Sequence, residues 1–239
     1  MHPTVKSARI AGLLYLLMAL PGPFILMYLP NLLIVTGNAT ATANNILHHE
    51  MLFRTGIVAN LFSSVLFILL ALALYRLFSD VNKTHAALLV TLVAVSATIA
   101  LLNEVNDVAA LTLARGADFL AAIDKPQREA FAMLFLRLHS QGNTINEFLW
   151  GLWLFPFGVL VMRSGFLPRL LGVLLIVNCC AYVALSLTGL LFPEYSNVAF
   201  DASTPALMGE VWIMLWLLIK GVKVQPSLTA APPQVVAAT

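Results

Sequence analysis

Apolar residues run in long blocks along this chain, and short polar segments separate them. An α-helix rises about 1.5 Å per residue, so about 20 apolar residues cross a hydrocarbon core about 30 Å thick. Six stretches meet that requirement: Ala8 to Leu33, Leu52 to Phe78, Ala86 to Leu113, Phe131 to Met162, Leu167 to Phe192 and Pro205 to Ile219. The sixth is short, and its helix is expected to continue to Val222. The pattern predicts an all-α integral membrane protein, a bundle of six transmembrane helices. Residues 1–223 are read as one six-helix transmembrane domain, and the uncharged, proline-rich segment 224–239 as a disordered cytoplasmic tail.

Prolines mark where these helices should bend. Pro21-Gly22-Pro23 removes backbone donors inside the first stretch and should kink or break it. The fourth stretch exceeds what a bilayer needs. Asp124 can cap its start with Pro126 in the first turn, and Pro156 should kink it again. The first apolar run is too long for the h-region of a secretory signal, which has about 7–15 residues. It is therefore read as an uncleaved first span.

Composition strengthens the reading. Of 239 residues, 60% are hydrophobic and 10% charged, which leaves too little polar surface to solvate a soluble globule. The formal charge is +2 and there is no basic stripe, so a nucleic-acid partner is excluded. The loop cations are distributed unevenly. Lys6, Arg9, Arg76, Lys83, Arg163, Arg169, Lys220 and Lys223 fall on one side, and Arg115, Lys125 and Arg128 on the other. The positive-inside rule places both termini in the cytoplasm. A multi-pass protein of the bacterial inner membrane follows as the expected location, with the lipid bilayer as its first partner. Adjacent Cys179 and Cys180 point in different directions on a helix and are read as small apolar residues rather than a redox pair.

The informative residues are those that do not belong in lipid, where an ionisable side chain costs about 2.5–3.5 kcal/mol and turns towards the bundle interior. The second span carries Arg54 and Asn60, the third Asn103, Glu104, Asn106 and Asp107. The fourth carries His139, Asn143, Asn146 and Glu147, the fifth Asn178 and the sixth Glu210. At about 100° per residue, His139, Asn143, Asn146 and Glu147 share one face, and Asn103 and Asp107 lie one turn apart. Nearly all fall in the outer halves of their helices, while the cytoplasmic halves are apolar. The asymmetry predicts a polar pocket open to the outside and closed below by an apolar plug, lined by Arg54, Asn60, Asn103, Glu104, Asp107, His139, Asn143, Asn146, Glu147 and Glu210.

Three functions fit such a pocket. The favoured one is binding or permeation of a small polar or cationic ligand. The alternatives are an intramembrane enzyme, with His139 as general base beside Glu147 or Asp107, and a structural or assembly role in which the polar groups only tie helices together. No cofactor and no metal site is assigned. His48-His49-Glu50 is not the zinc-protease pattern of two histidines four apart around a glutamate, and no nucleophile elbow, P-loop or dinucleotide fingerprint is present.

One segment is distinctive. Gly151-Leu152-Trp153-Leu154-Phe155-Pro156-Phe157-Gly158-Val159-Leu160-Val161 is followed by Ser164-Gly165-Phe166-Leu167-Pro168-Arg169 and Leu171-Gly172-Val173-Leu174-Leu175. With the opening Ala8-Arg9-Ile10-Ala11-Gly12-Leu13-Leu14-Tyr15-Leu16, it resembles the bacterial membrane family catalogued as domain of unknown function 4386, over residues 6 to 222. The resemblance implies a multi-pass bacterial membrane protein and carries over no functional residues. Asn178-Cys179-Cys180 departs from the small, glycine-containing stretch expected there.

Overall fold

A computed structural model describes residues 4–223. The segment 224–239, read above as a tail, lies outside the described residues. Helices α1 (Val5–Ala19) and α2 (Leu29–Leu33) are joined by a π-helical turn, Phe24–Tyr28. They are followed by α3 (Ala39–His48), α4 (Glu50–Phe78), α5 (Lys83–Arg115) and α6 (Lys125–Leu152). Then come α7 (Leu154–Ser164), α8 (Arg169–Leu191) and α9 (Ser196–Ile219). Among the described residues, six helical units, counting α1 with α2 and α6 with α7, are long and apolar enough to cross a membrane. The protein is a multi-pass membrane protein in contact with lipid.

Local chemistry sets the ends. Thr4 and Ser7 form a reciprocal capping box, and Asn38, Asn82 and Asp124 each accept a backbone N–H three residues on. Gly116 closes α5 in the left-handed conformation, φ 69°, that side chains disfavour. The first span breaks at Pro21-Gly22-Pro23, as the prolines require, and the fourth breaks at Trp153, three residues before Pro156.

Three boundaries differ from expectation. The sixth helix starts at Ser196, runs through Pro205 and stops at Ile219 rather than Val222, because Gly221 takes φ 68°. Pro205 lies in the third turn and removes one donor, which a long apolar helix tolerates. The segment between the first two spans is not plain loop: α3 occupies it and packs on α5 and α6.

The spans form a closed ring in chain order. The α1 helix packs on α4, α4 on α5, α5 on α6, α6 on α8, α8 on α9, and α9 back on α1. Small residues permit this: a Cβ on Gly12 would collide with the Leu218 backbone, and Gly158 and Gly172 face each other across α7 and α8. The beginning and the end of the described chain meet at one end of the bundle, where Arg9 donates to the Ile219 carbonyl at 3.2 Å and the Lys223 N–H donates to Phe166 at 3.1 Å.

Two apolar cores fill the bundle. The larger, at the end holding the first and last described residues, centres on Trp153, which is 2% exposed and lies against Tyr15, Phe67 and Phe157. The smaller, at the other end, combines Leu29, Leu33, Ile46, Phe53, Ala110, Leu111 and Leu136. Outside, Phe62, Leu102, Val105 and Leu170 are more than 60% exposed while Asn103, Glu104, Asn146 and Asn178 are buried. Polar groups inside and apolar groups outside is the arrangement lipid demands.

Candidate functional site

Between the two cores, α4, α5 and α6 contribute a layer of polar side chains. Asn60 donates to Glu104 Oε1 at 2.7 Å. Glu104 and Asp107, three residues apart, share a face of α5. From α6, His139 Nδ1 lies 3.4 Å from Asp107 Oδ1 and 3.4 Å from the Asn103 carbonyl. Its Nε2 meets the Asn143 amide at 3.1 Å. Asn103 donates to the His139 carbonyl at 2.8 Å and to Asn143 Oδ1 at 3.2 Å, and Asn106 donates to Asn103 Oδ1 at 3.0 Å. The sequence explains why α5 and α6 come this close: Gly142 has no side chain where the Asn103 amide lies, so a Cβ there would overlap it.

One ligand-capable atom from each of Glu104, Asp107 and His139 falls within 4.8 Å of the others. Glu104 is 5% exposed, and its Oε2 has no hydrogen-bond partner. No lysine or arginine pairs with Glu104, and Asp107 pairs only with His139, among the described residues. The sequence assigned no metal-ligand group, because Glu104 and Asp107 lie far from His139 along the chain.

The remaining candidates separate from this layer. Arg54 turns to the rim, where Glu50 holds it at 2.7 Å and also binds Arg115 at 2.8 Å. Asn146 is buried one level deeper in a reciprocal pair: Ser96 Oγ donates to its Oδ1 at 2.9 Å, and its amide donates to the Ser96 carbonyl at 3.1 Å. Glu147 lies beside Tyr182 and has no hydrogen bond or ion pair among the described residues. Glu210 lies on the opposite side of the ring, in a separate site made by α1, α8 and α9. It accepts a short hydrogen bond from the Tyr15 hydroxyl, the Tyr182 hydroxyl approaches it, and the Asn178 amide donates at 3.4 Å. Tyr15 and Tyr182 were not anticipated: a tyrosine in an apolar helix gives no signal of its own, although a lone glutamate there implies donors elsewhere.

The expected pocket also changes shape. The smaller apolar core, with α3 beside it, lies between the polar layer and the helix ends nearest it, so the layer is covered on both sides rather than open as a funnel. A cavity of about 460 Å³ opens beside α4 and α5 and is lined by Arg54, Ile57, Val108, Leu111, Thr112 and Arg115, with Gly116 and Ala117. Ile57 and Val108 are one helical turn from Asn60 and Glu104, so this groove approaches the layer without including its carboxylates.

The chain belongs to the family described as "Domain of unknown function (DUF4386)", which it matches over residues 10–221. It is also similar to an uncharacterized protein of Archaeoglobus fulgidus, at 32% identity over 79 residues, which span 33% of this chain and 46% of that protein. No solved structure matches the chain.

Proposed function

We propose that this protein binds a small cation, or a small polar ligand with a cationic group, in the layer formed by Asn60, Asn103, Glu104, Asp107, His139 and Asn143. The observation that carries the reading is the uncompensated pair Glu104 and Asp107. Two carboxylates one turn apart, inside an apolar slab, with no lysine or arginine beside them and one shared imidazole, must share protons or hold a cation. Arg54, which could have neutralised them, is held at the rim by Glu50. Apolar cores on both sides of the layer favour a bound, occluded ligand over an open channel. The reading as an enzyme with His139 as general base is less favoured: Nε2 is engaged by Asn143 and Nδ1 faces Asp107, leaving no free ring nitrogen for a substrate. Arg54, Asn146, Glu147 and Glu210 serve elsewhere in the bundle.

The positive-inside bias supports a location in the bacterial inner membrane with both termini in the cytoplasm. The first and last described residues lie at one end of the bundle, which agrees with an even number of spans.

The test is thermal denaturation in detergent across Na⁺, K⁺, alkylammonium ions and divalent cations. At least one cation should raise the Tm of the native protein, and Glu104→Gln/Asp107→Asn should abolish the rise. A double variant that keeps the full cation response would show that the layer is not the site.

A further inference from the structure

We propose that Glu104, Asp107 and His139 are the ligands of one divalent metal ion of the zinc type, with Asn143 as the residue that orients the imidazole. The inference rests on the cation-binding reading above and names its ligand class.

Geometry is the first argument. Bonds of about 2.1 Å at a tetrahedral metal set neighbouring ligand atoms about 3.4 Å apart. His139 Nδ1 and Asp107 Oδ1 are 3.4 Å apart, long for a hydrogen bond and right for one edge of such a site. All three ligand atoms lie within 4.8 Å, so a shift of the Glu104 carboxylate by up to about 1.4 Å completes the triangle.

The second argument is independent. Glu104 is almost fully buried, Asn60 satisfies its Oε1, and its Oε2 has no partner at all. A buried carboxylate oxygen left bare is costly, and an ion is one of the few things that satisfies it.

The donor set selects the metal. Without a thiolate the site does not favour Cu(I), and the imidazole favours Zn²⁺ or Co²⁺ over Mg²⁺ and Ca²⁺, which prefer oxygen alone. Three protein ligands leave a fourth position open, as in zinc sites that exchange a bound molecule. The outer partners are also in place. Asn60 holds Glu104, and Asn143 holds the ring nitrogen away from the metal. A metal on Nδ1 puts the proton on Nε2, so the Asn143 amide has to turn over to accept it and gives up the bond that its oxygen accepts from Asn103.

The experiment uses the full chain in detergent, stripped with a chelator and titrated with Co²⁺ while the visible spectrum is followed. One Co²⁺ per chain should bind, be displaced by Zn²⁺ and resist Mg²⁺. His139→Gln and Asp107→Asn should lose the spectrum yet melt cooperatively, and the exposed-loop variant Asp118→Asn should behave as the native chain. Asn143→Ala should weaken Co²⁺ by about 10–100-fold. A native protein stabilised by Na⁺ or alkylammonium with no Co²⁺ spectrum overturns the metal site and leaves the cation reading standing. No stabilisation by any cation overturns both. A Co²⁺ spectrum unchanged in both His139→Gln and Asp107→Asn places the metal elsewhere and also overturns the assignment.

Discussion

Glu210 and Glu104 are both glutamates on membrane-spanning helices, and the bundle treats them differently. Around Glu210 three other side chains converge: the hydroxyls of Tyr15 and Tyr182 and the amide of Asn178. These come from α1 and α8 and meet a residue of α9, so the group ties together the spans that close the ring. Around Glu104 there is one donor, Asn60, and a second carboxylate where a donor would be expected. The comparison teaches that burial of an acid in lipid does not by itself indicate function. A carboxylate whose oxygens are all answered acts as a tie between helices. One with a bare oxygen and a like-charged neighbour has an open valence towards a cation.

The sharpest way to break that contrast is Glu210→Ala. It leaves two phenol hydroxyls and an amide facing a void, at roughly 1–3 kcal/mol for each stranded group. The Tm in detergent should fall further than in Gly142→Ala or Glu104→Gln, and Glu210→Gln should recover part of the loss because it restores an acceptor. An Ala variant that melts like the native protein would remove Glu210 from the structural role.

Gly142→Ala should have an intermediate effect, about 1–3 kcal/mol of overpacking. The added methyl pushes on the Asn103 amide, which is bonded to the His139 carbonyl and to Asn143. Stability and cation response should therefore fall together. Loss of stability with an intact cation response would show that the α5–α6 contact does not set the site.

The smallest expected effect is that of Glu104→Gln on folding. A neutral amide is cheaper to bury than a carboxylate, its oxygen still accepts from Asn60, and its NH₂ can donate to Asp107. The Tm without added cation should stay level or rise. A clear fall would make Glu104 a tie like Glu210 and erase the distinction.

Much of the local structure was legible along the chain. Asp124 caps α6 with Pro126 in its first turn, the Pro21-Gly22-Pro23 break is where the prolines put it, and the face shared by His139 and Asn143 is the face that meets α5. Pro205 is the counterexample: the apolar pattern places the start of the sixth span there, and the helix begins at Ser196 and runs through the proline.

The sequence by itself determined six spans, the breaks in the first and fourth, the Asp124 cap, and which polar residues share a helix face. All of these follow from local geometry, 1.5 Å and about 100° per residue. Only the tertiary structure decided which polar residues meet. One set of candidates divides into a carboxylate–imidazole layer on α4, α5 and α6, a tyrosine-bound Glu210 among α1, α8 and α9, a buried Ser96–Asn146 pair and an arginine at the rim. Residues at the same depth stay strangers unless their helices are neighbours in the ring and are turned towards each other. Neighbourhood and rotation are fixed by contacts such as Gly142 against Asn103 and Gly12 against the Leu218 backbone, far apart along the chain.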